Sequence, residues 1–469
     1  AVLENHKNYD FKPYVLKTAD RGKSWTSIAG DLPEDHYVLA IAEDHVNPNL
    51  LFVGTEFGLF FTVDGGKKWV RLRGGLPTIA VRDLAIQKRE NDLVAATFGR
   101  GFYILDDYSP LRAVSKEALD KDAAVFAVKN TPIYVPSSPY GGRGSGFQGA
   151  SHYLAANPAF GATITYYLKE PIRTQREQRR EKEREAERKK EDLPFPNFEE
   201  LRAEAQEERP AVVITVRDSS GAVVREITGP VGRGMHRVNW DLRHNPPVVP
   251  AARRPEGDEE QSGGGGGFGG GPQGPMVVPG DFTVSVAKRV NGEETAIGQP
   301  QKFTVYVLGS SPLAAKDWPA LGAFQRQVAD LQRAALGTSR YVAFLNERVS
   351  TIERAFGVTA NAPASLRKDA KTIDERLEKI QTALNGDRFL TRMQEATAPG
   401  IMQRIQFAVI NTTSDPTGAQ RDQYRIAAEL FQQTHAEVKT VAAELQKLED
   451  AMEKAGAPGL PGRLPEWKP

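Results

Sequence analysis

Apolar residues in the last third of the chain recur every three or four positions. Leu321, Phe324, Val328 and Leu331 step by 3, 4 and 3, and Leu345, Val349, Ile352 and Phe356 step by 4, 3 and 4. Leu366, Ala370, Ile373, Leu377, Ile380 and Leu384 keep the rhythm, and a last stripe runs from Tyr424 through Phe431, Val438 and Leu445 to Met452. Such spacing lays one apolar stripe along each helix and predicts a bundle of amphipathic helices over 309–469. Asp415-Pro416 is placed to start the final helix and Gly456 to end it. The stripes read as core rather than as cofactor surfaces.

Upstream of residue 309 the period shortens. The runs Ala162–Leu168, Ala211–Arg217, Val223–Ile227, Gly234–Arg243, Gly280–Val286 and Lys302–Val307 are rich in β-branched and aromatic residues, and a further strand is expected near Val125 to Val135. Asp218-Ser-Ser-Gly221 and Asn291-Gly292 supply turns between them. Short strands at this spacing predict an immunoglobulin-like β-sandwich over 113–308. Two stretches interrupt it. Over 172–208 the chain is charged, and Arg173 to Asp192 mixes Arg, Lys and Glu as a solvated helix with i,i+4 ion pairs would. Over 255–276 it is Gly-rich and reads as a surface loop.

The first 112 residues carry a repeat. Thr18-Ala-Asp20-Arg-Gly22-Lys-Ser24-Trp25 returns 44 residues later as Thr62-Val-Asp64-Gly-Gly66-Lys-Lys68-Trp69. Gly30-Asp-Leu32-Pro33 is likewise answered by Gly74-Gly-Leu76-Pro77. A third pass aligns Gly58 with Gly101 and Asp64 with Asp107, but the Gly and Trp that should follow are gone. A period of about 40 to 50 residues built from short strands and tight turns marks the blades of a β-propeller. Asp20 and Asp64 are expected to accept backbone N–H bonds across a hairpin turn, Gly22 and Gly66 to supply positive φ, and Trp25 and Trp69 to wedge beneath it. Two blades and a remnant do not close a ring, so the remaining blades are expected N-terminal to this chain or on another one.

The octapeptide resembles the Asp-box, or BNR, repeat of sialidases, sortilin-type receptors and xyloglucan-degrading glycoside hydrolases. The order D-x-x-G, V-R, N-W-D, P-G-D-F-T-V across the middle is similar to the Ig-like module of flagellar hook-capping proteins. Blades ending in F-G-R-G-F-Y-I-L-D-D, a sandwich with W-D-L-R and a helical tail together resemble large secreted bacterial propeller proteins of the sortilin-like, BNR-repeat glycosyl hydrolase type. That resemblance implies a secreted, periplasmic or cell-surface protein with a protein or carbohydrate ligand. It also implies that the two Asp-box carboxylates are turn residues remote from the central cleft.

Composition narrows the chemistry. The net charge of +1 lacks the basic surplus that nucleic-acid binding needs, and no apolar run reaches the roughly 18 residues of a membrane helix. Cysteine is absent, which removes disulfides and thiolates, and the 7 His fall in no zinc-binding pattern, so neither cofactor nor metal is expected. Ser145 lacks the Gly positions of a nucleophile elbow, since Arg143 and Phe147 stand there. A glycosidase needs two carboxylates roughly 5 to 9.5 Å apart across a cleft. Glu43, Asp44, Glu56 and Asp83 lie near strand ends where they could face one, but no spacing pairs any two. Arg100, between two glycines, could contact an anion and is expected to pair with Asp106 or Asp107. A binding or interaction protein is therefore expected first, with a polysaccharide-directed glycoside hydrolase as the alternative.

Overall fold

In the computed structural model, which describes residues 1–136, 155, 157–192, 195–248, 273–309, 313–410, 412–460 and 462–464, the first hundred residues form three consecutive antiparallel sheets. The first contains β1 (Val2–Asn5), β2 (Asp10–Lys17) and β3 (Thr26–Ser27). The second runs in order through β4 (Val38–Glu43), β5 (Leu51–Thr55), β6 (Gly58–Thr62) and β7 (Val70–Arg71). The third contains β8 (Val81–Gln87), β9 (Asp92–Thr97) and β10 (Phe102–Leu105). Alternation assigns each face. In the second sheet Val38, Leu51, Val53 and Phe60 turn toward the first sheet and pack with Val15, while Ala40, Phe52 and Leu59 turn toward Val81, Leu84 and Leu93 of the third. Gly54 sets the spacing, because a Cβ there would stand 2.5 Å from the Val81 carbonyl oxygen. The middle sheet is thus covered on both sides. The outer faces of its neighbours are open, with Leu3, Phe102 and Ile104 exposed. This arrangement is consistent with part of a propeller.

A 3-10 turn, Ser109–Ala113, and α1 (Lys116–Asp120) lead into a two-sheet layer. β11 (Ala123–Val125) and β12 (Thr131–Ile133) replace the single strand expected near Val125 to Val135, and they enter different sheets. β13 (Ala162–Leu168) pairs with β11. The charged interruption forms α2 (Gln175–Lys189) and α3 (Phe198–Gln206), neither with a buried residue, tied by Arg179 to Glu183 and Glu204. β14 (Ala211–Asp218), β15 (Val223–Gly229), β16 (Gly234–Trp240), β17 (Gly280–Val290) and β18 (Glu293–Val307) complete the layer. One sheet runs β11-β13-β16, the other β12-β18-β17-β14-β15, and both contribute to one core around Trp240, Tyr166 and Phe282. Most of the Gly-rich stretch, and Ser145 with its neighbours, lie outside the described residues.

The remainder is helical: α4 (Trp318–Ala355), α5 (Ala364–Asn385), α6 (Arg388–Arg392), α7 (Ile401–Ala408) and α8 (Gly418–Lys454). The first two stripes read from the sequence belong to one 38-residue helix, because nothing between them breaks the pattern except Gly337, which a helix tolerates. Thr417, not Asp415, caps α8 in a reciprocal box with Gln420. Asp415 instead accepts from the Lys316 backbone N–H at 3.2 Å. Arg348 of α4 forms a bidentate pair with Glu449 of α8, which is 1% exposed within the helical core. No helix among the described residues is long and apolar enough to cross a membrane.

Candidate functional site

The strand ends of the first three sheets divide the candidate residues into two groups. The two octapeptide turns lie between β2 and β3 and between β6 and β7. Their internal bonds match: the threonine hydroxyl donates to Asp20 at 2.9 Å and to Asp64 at 2.8 Å. The backbone N–H of Gly22 donates to Thr18 at 2.8 Å and that of Gly66 to Thr62 at 3.0 Å, and both glycines have positive φ. Asp20 also accepts from the Ser24 backbone N–H and hydroxyl, which with Thr18 hold its pKa down at about 2.

The two indoles differ, against the expectation of equivalent wedges. Trp69 is 6% exposed; its ring N–H donates to the Ile28 carbonyl and its backbone N–H to Asp31, both in the segment after β3. Trp25 is 50% exposed and donates to Gly22 of its own turn. The cause is the neighbour. Trp69 has the preceding sheet against it, and no sheet among the described residues lies on that side of Trp25. The degenerate third turn does without either partner, and Asp107 accepts from Ser109 instead.

Glu43 and Asp44 sit at the same end of the strands as these turns. Glu43 is exposed. Asp44 does not face a cleft: it is 3% exposed and accepts from Arg112 at 2.7 and 2.8 Å, from the Tyr108 hydroxyl at 2.7 Å and from the Asn47 N–H at 2.7 Å. This cluster ties the segment after the third sheet back onto the second.

The opposite rim collects the other candidates. It is made by the β1–β2, β5–β6 and β9–β10 turns and by the starts of β4 and β8. The His6 ring stacks on Tyr37 at 4.8 Å, and the Tyr37 hydroxyl donates to Glu56 at 2.7 Å. Burial and that carboxylate push the Tyr37 phenol up to about 12. His36 meets Phe57 edge-on at 5.0 Å, and Arg71 donates to the Phe57 carbonyl at 2.8 Å. The Arg82 guanidinium lies over Phe98 at 5.3 Å. Asp83 is exposed and accepts from the Leu84 backbone N–H at 2.8 Å. Arg100 is exposed at the tip of the β9–β10 turn and pairs with neither Asp106 nor Asp107; the Asp106 carbonyl accepts from Arg237 instead. Glu56, Asp83 and Arg100 therefore share one rim, and Glu43 is not part of it.

Between these charges stand aromatic rings open to solvent: Tyr9 is 89% exposed and Phe98 68%, with Phe57 beside them at 40%. Exposed rings of this kind, flanked by a guanidinium and carboxylates, offer flat apolar surfaces with polar groups at their edges, which is recognition chemistry. The sequence carried a signal for them. Phe57 and Phe98 both stand beside glycine in a strand-to-strand turn, where an apolar ring has no core to fill. Among the described residues no group of three or more acidic or histidine side chains could hold a metal.

No family model matches the chain, and no curated protein does. Among solved structures it is similar to the extracellular domain of a hybrid two component system from B. thetaiotaomicron, with 12% identity over 63% of this chain and 29% of that one and a TM-score of 0.17. It is also similar to the GH74 xyloglucanase from Xanthomonas campestris, with 10% identity over 60% of this chain and 33% of that one and a TM-score of 0.16. At such scores neither likeness decides fold or function. The chain spans a third or less of either protein's length.

Proposed function

We propose that the chain is part of a non-catalytic recognition protein of the sortilin-like, BNR-repeat propeller type, acting outside the cytoplasm on a protein or glycan ligand. On this reading residues 1–112 are closing blades of an Asp-box propeller, 113–308 an Ig-like sandwich with two insertions, and 309–469 a helical domain. The rim of Tyr9, Phe57 and Phe98 carries the reading, since open aromatic rings gain little for the fold and much for a ligand. A second reading, glycoside hydrolysis, is favoured by one observation: Glu56 and Asp83 are on that same rim. Against it, Glu56 already accepts from Tyr37 and Asp83 from its own strand.

A glycan array and a protein-capture screen, followed by titration of the best ligand, test the proposal. A Phe57→Ala/Phe98→Ala double variant is expected to bind about tenfold to a hundredfold more weakly while its melting temperature barely moves. Unchanged affinity would remove the rim as the site. Turnover of a polysaccharide that is lost in Glu56→Gln or Asp83→Asn would replace recognition with hydrolysis.

A further inference from the structure

Where the two-sheet layer meets α4, a cavity of about 70 Å³ lies between Asp218, His244, the 275–278 segment, Gly322 and Arg326. One water needs roughly 10–15 Å³ of such space, so the cavity holds about five water-sized atoms. That is room for a tetrahedral oxyanion. Its walls are apolar except for three side chains. The Asp218 carboxylate is already occupied by the Ser220 N–H at 2.9 Å, the Ser220 hydroxyl at 2.6 Å and the Ala222 N–H at 3.1 Å. The His244 imidazole and the Arg326 guanidinium have no hydrogen-bond or ion-pair partner among the described residues. Arg326 folds back over Gly322, where a Cβ would stand 3.4 Å from its Nη1 and 2.7 Å from Val278 Cγ1. Behind His244 stands another cation: Arg225 donates to the His244 carbonyl at 3.0 Å, and its buried Nε has no partner. A guanidinium and an imidazole that pair with no described protein group, around a small cavity whose one carboxylate is engaged elsewhere, form a site for negative charge.

We infer that this cavity binds a small tetrahedral oxyanion between the His244 imidazole and the Arg326 guanidinium, joining the sheet layer to α4. Burial, and then the nearby Arg326 charge, lower the imidazole from its ordinary value, with Asp218 opposing them. His244 is therefore neutral near pH 7 in the free protein. An anion reverses the balance, and binding takes up a proton on the ring. Affinity then rises as pH falls.

Calorimetric titration of the full chain with sodium sulfate and with inorganic phosphate, against chloride at matched ionic strength, tests this. Sulfate keeps its charge across the range, so its pH response belongs to the protein. Saturable sulfate binding is expected, tightening about tenfold from about pH 8 to about pH 5.5. Arg326→Gln should weaken it about tenfold or more, and His244→Gln should abolish the pH response. Arg326 is exposed, so its variant folds, and its ligand-free melting curve checks that. No saturable sulfate binding, phosphate binding without sulfate binding, or equal affinity in Arg326→Gln would overturn the site.

Discussion

Asp44 shows how far one carboxylate can carry a junction. Burial works against its charge, but the hydrogen bonds of Arg112, Tyr108 and the Asn47 N–H outweigh it and hold the pKa far below the ordinary 3.8. A carboxylate depressed by folding contributes stability above its unfolded pKa and loses it as pH falls toward the folded one. Asp44→Asn should therefore cost about 3–5 kcal/mol at pH 7, because the Arg112 charge is left without its partner. The gap between variant and native chain in urea unfolding should close as pH drops below about 4. A gap that stays constant down to about pH 2.5 would show that another group sets the acid sensitivity. Nothing in the sequence pointed to this role. From the sequence Asp44 is only an acid near a strand end, because its side-chain partners Tyr108 and Arg112 lie 64 and 68 residues away. The octapeptide turns, in contrast, were legible because their bonds span four residues or fewer. The surroundings of Trp25 were not, because they depend on what packs across the sheet face.

Helix α4 makes the same point about elements. Periodicity shows which face is buried, but not that two stripes are one rod, and not what approaches the rod from outside. Its two glycines separate these cases. Gly337 has open space where a Cβ would stand, so Gly337→Ala should stabilise the helix by about 0.5–1 kcal/mol. Gly322 has Val278 against it, and Gly322→Ala should destabilise by about 1–3 kcal/mol despite the same gain in helix propensity. Opposite signs of ΔTm in paired melts are the expected result. A stabilising Gly322→Ala would mean that α4 does not press on the 275–278 segment. The strands tell a related story. Ala162–Leu168 was legible to the residue because its run of β-branched and aromatic residues is uninterrupted, whereas β17 and β18 run further than the apolar pattern because they pair up to the Asn291-Gly292 turn and β14 pairs with β17 as far as Arg289.

At the scale of the molecule, the apolar residues gather into separate cores: those of the first three sheets, the two-sheet layer and the helices. What joins them is thinner and more polar. Lys129 reaches from the two-sheet layer to Glu90, donating to its carbonyl at 3.0 Å and pairing with its carboxylate, and Arg237 donates to the Asp106 carbonyl at 2.8 Å. Gly322 against Val278 marks the other junction. Links of this size couple neighbours weakly beside cores of many buried side chains, so unfolding should not be a single two-state event. Scanning calorimetry is expected to resolve more than one transition. Asp44→Asn should then move only the transition of the first sheets, and Gly337→Ala only that of the helices. Sulfate should raise the transitions on both sides of the α4 junction, because its site is built from both. One transition shifted alike by both substitutions would instead make the three cores a single cooperative unit, and the polar links would have to be far stronger than their exposure allows.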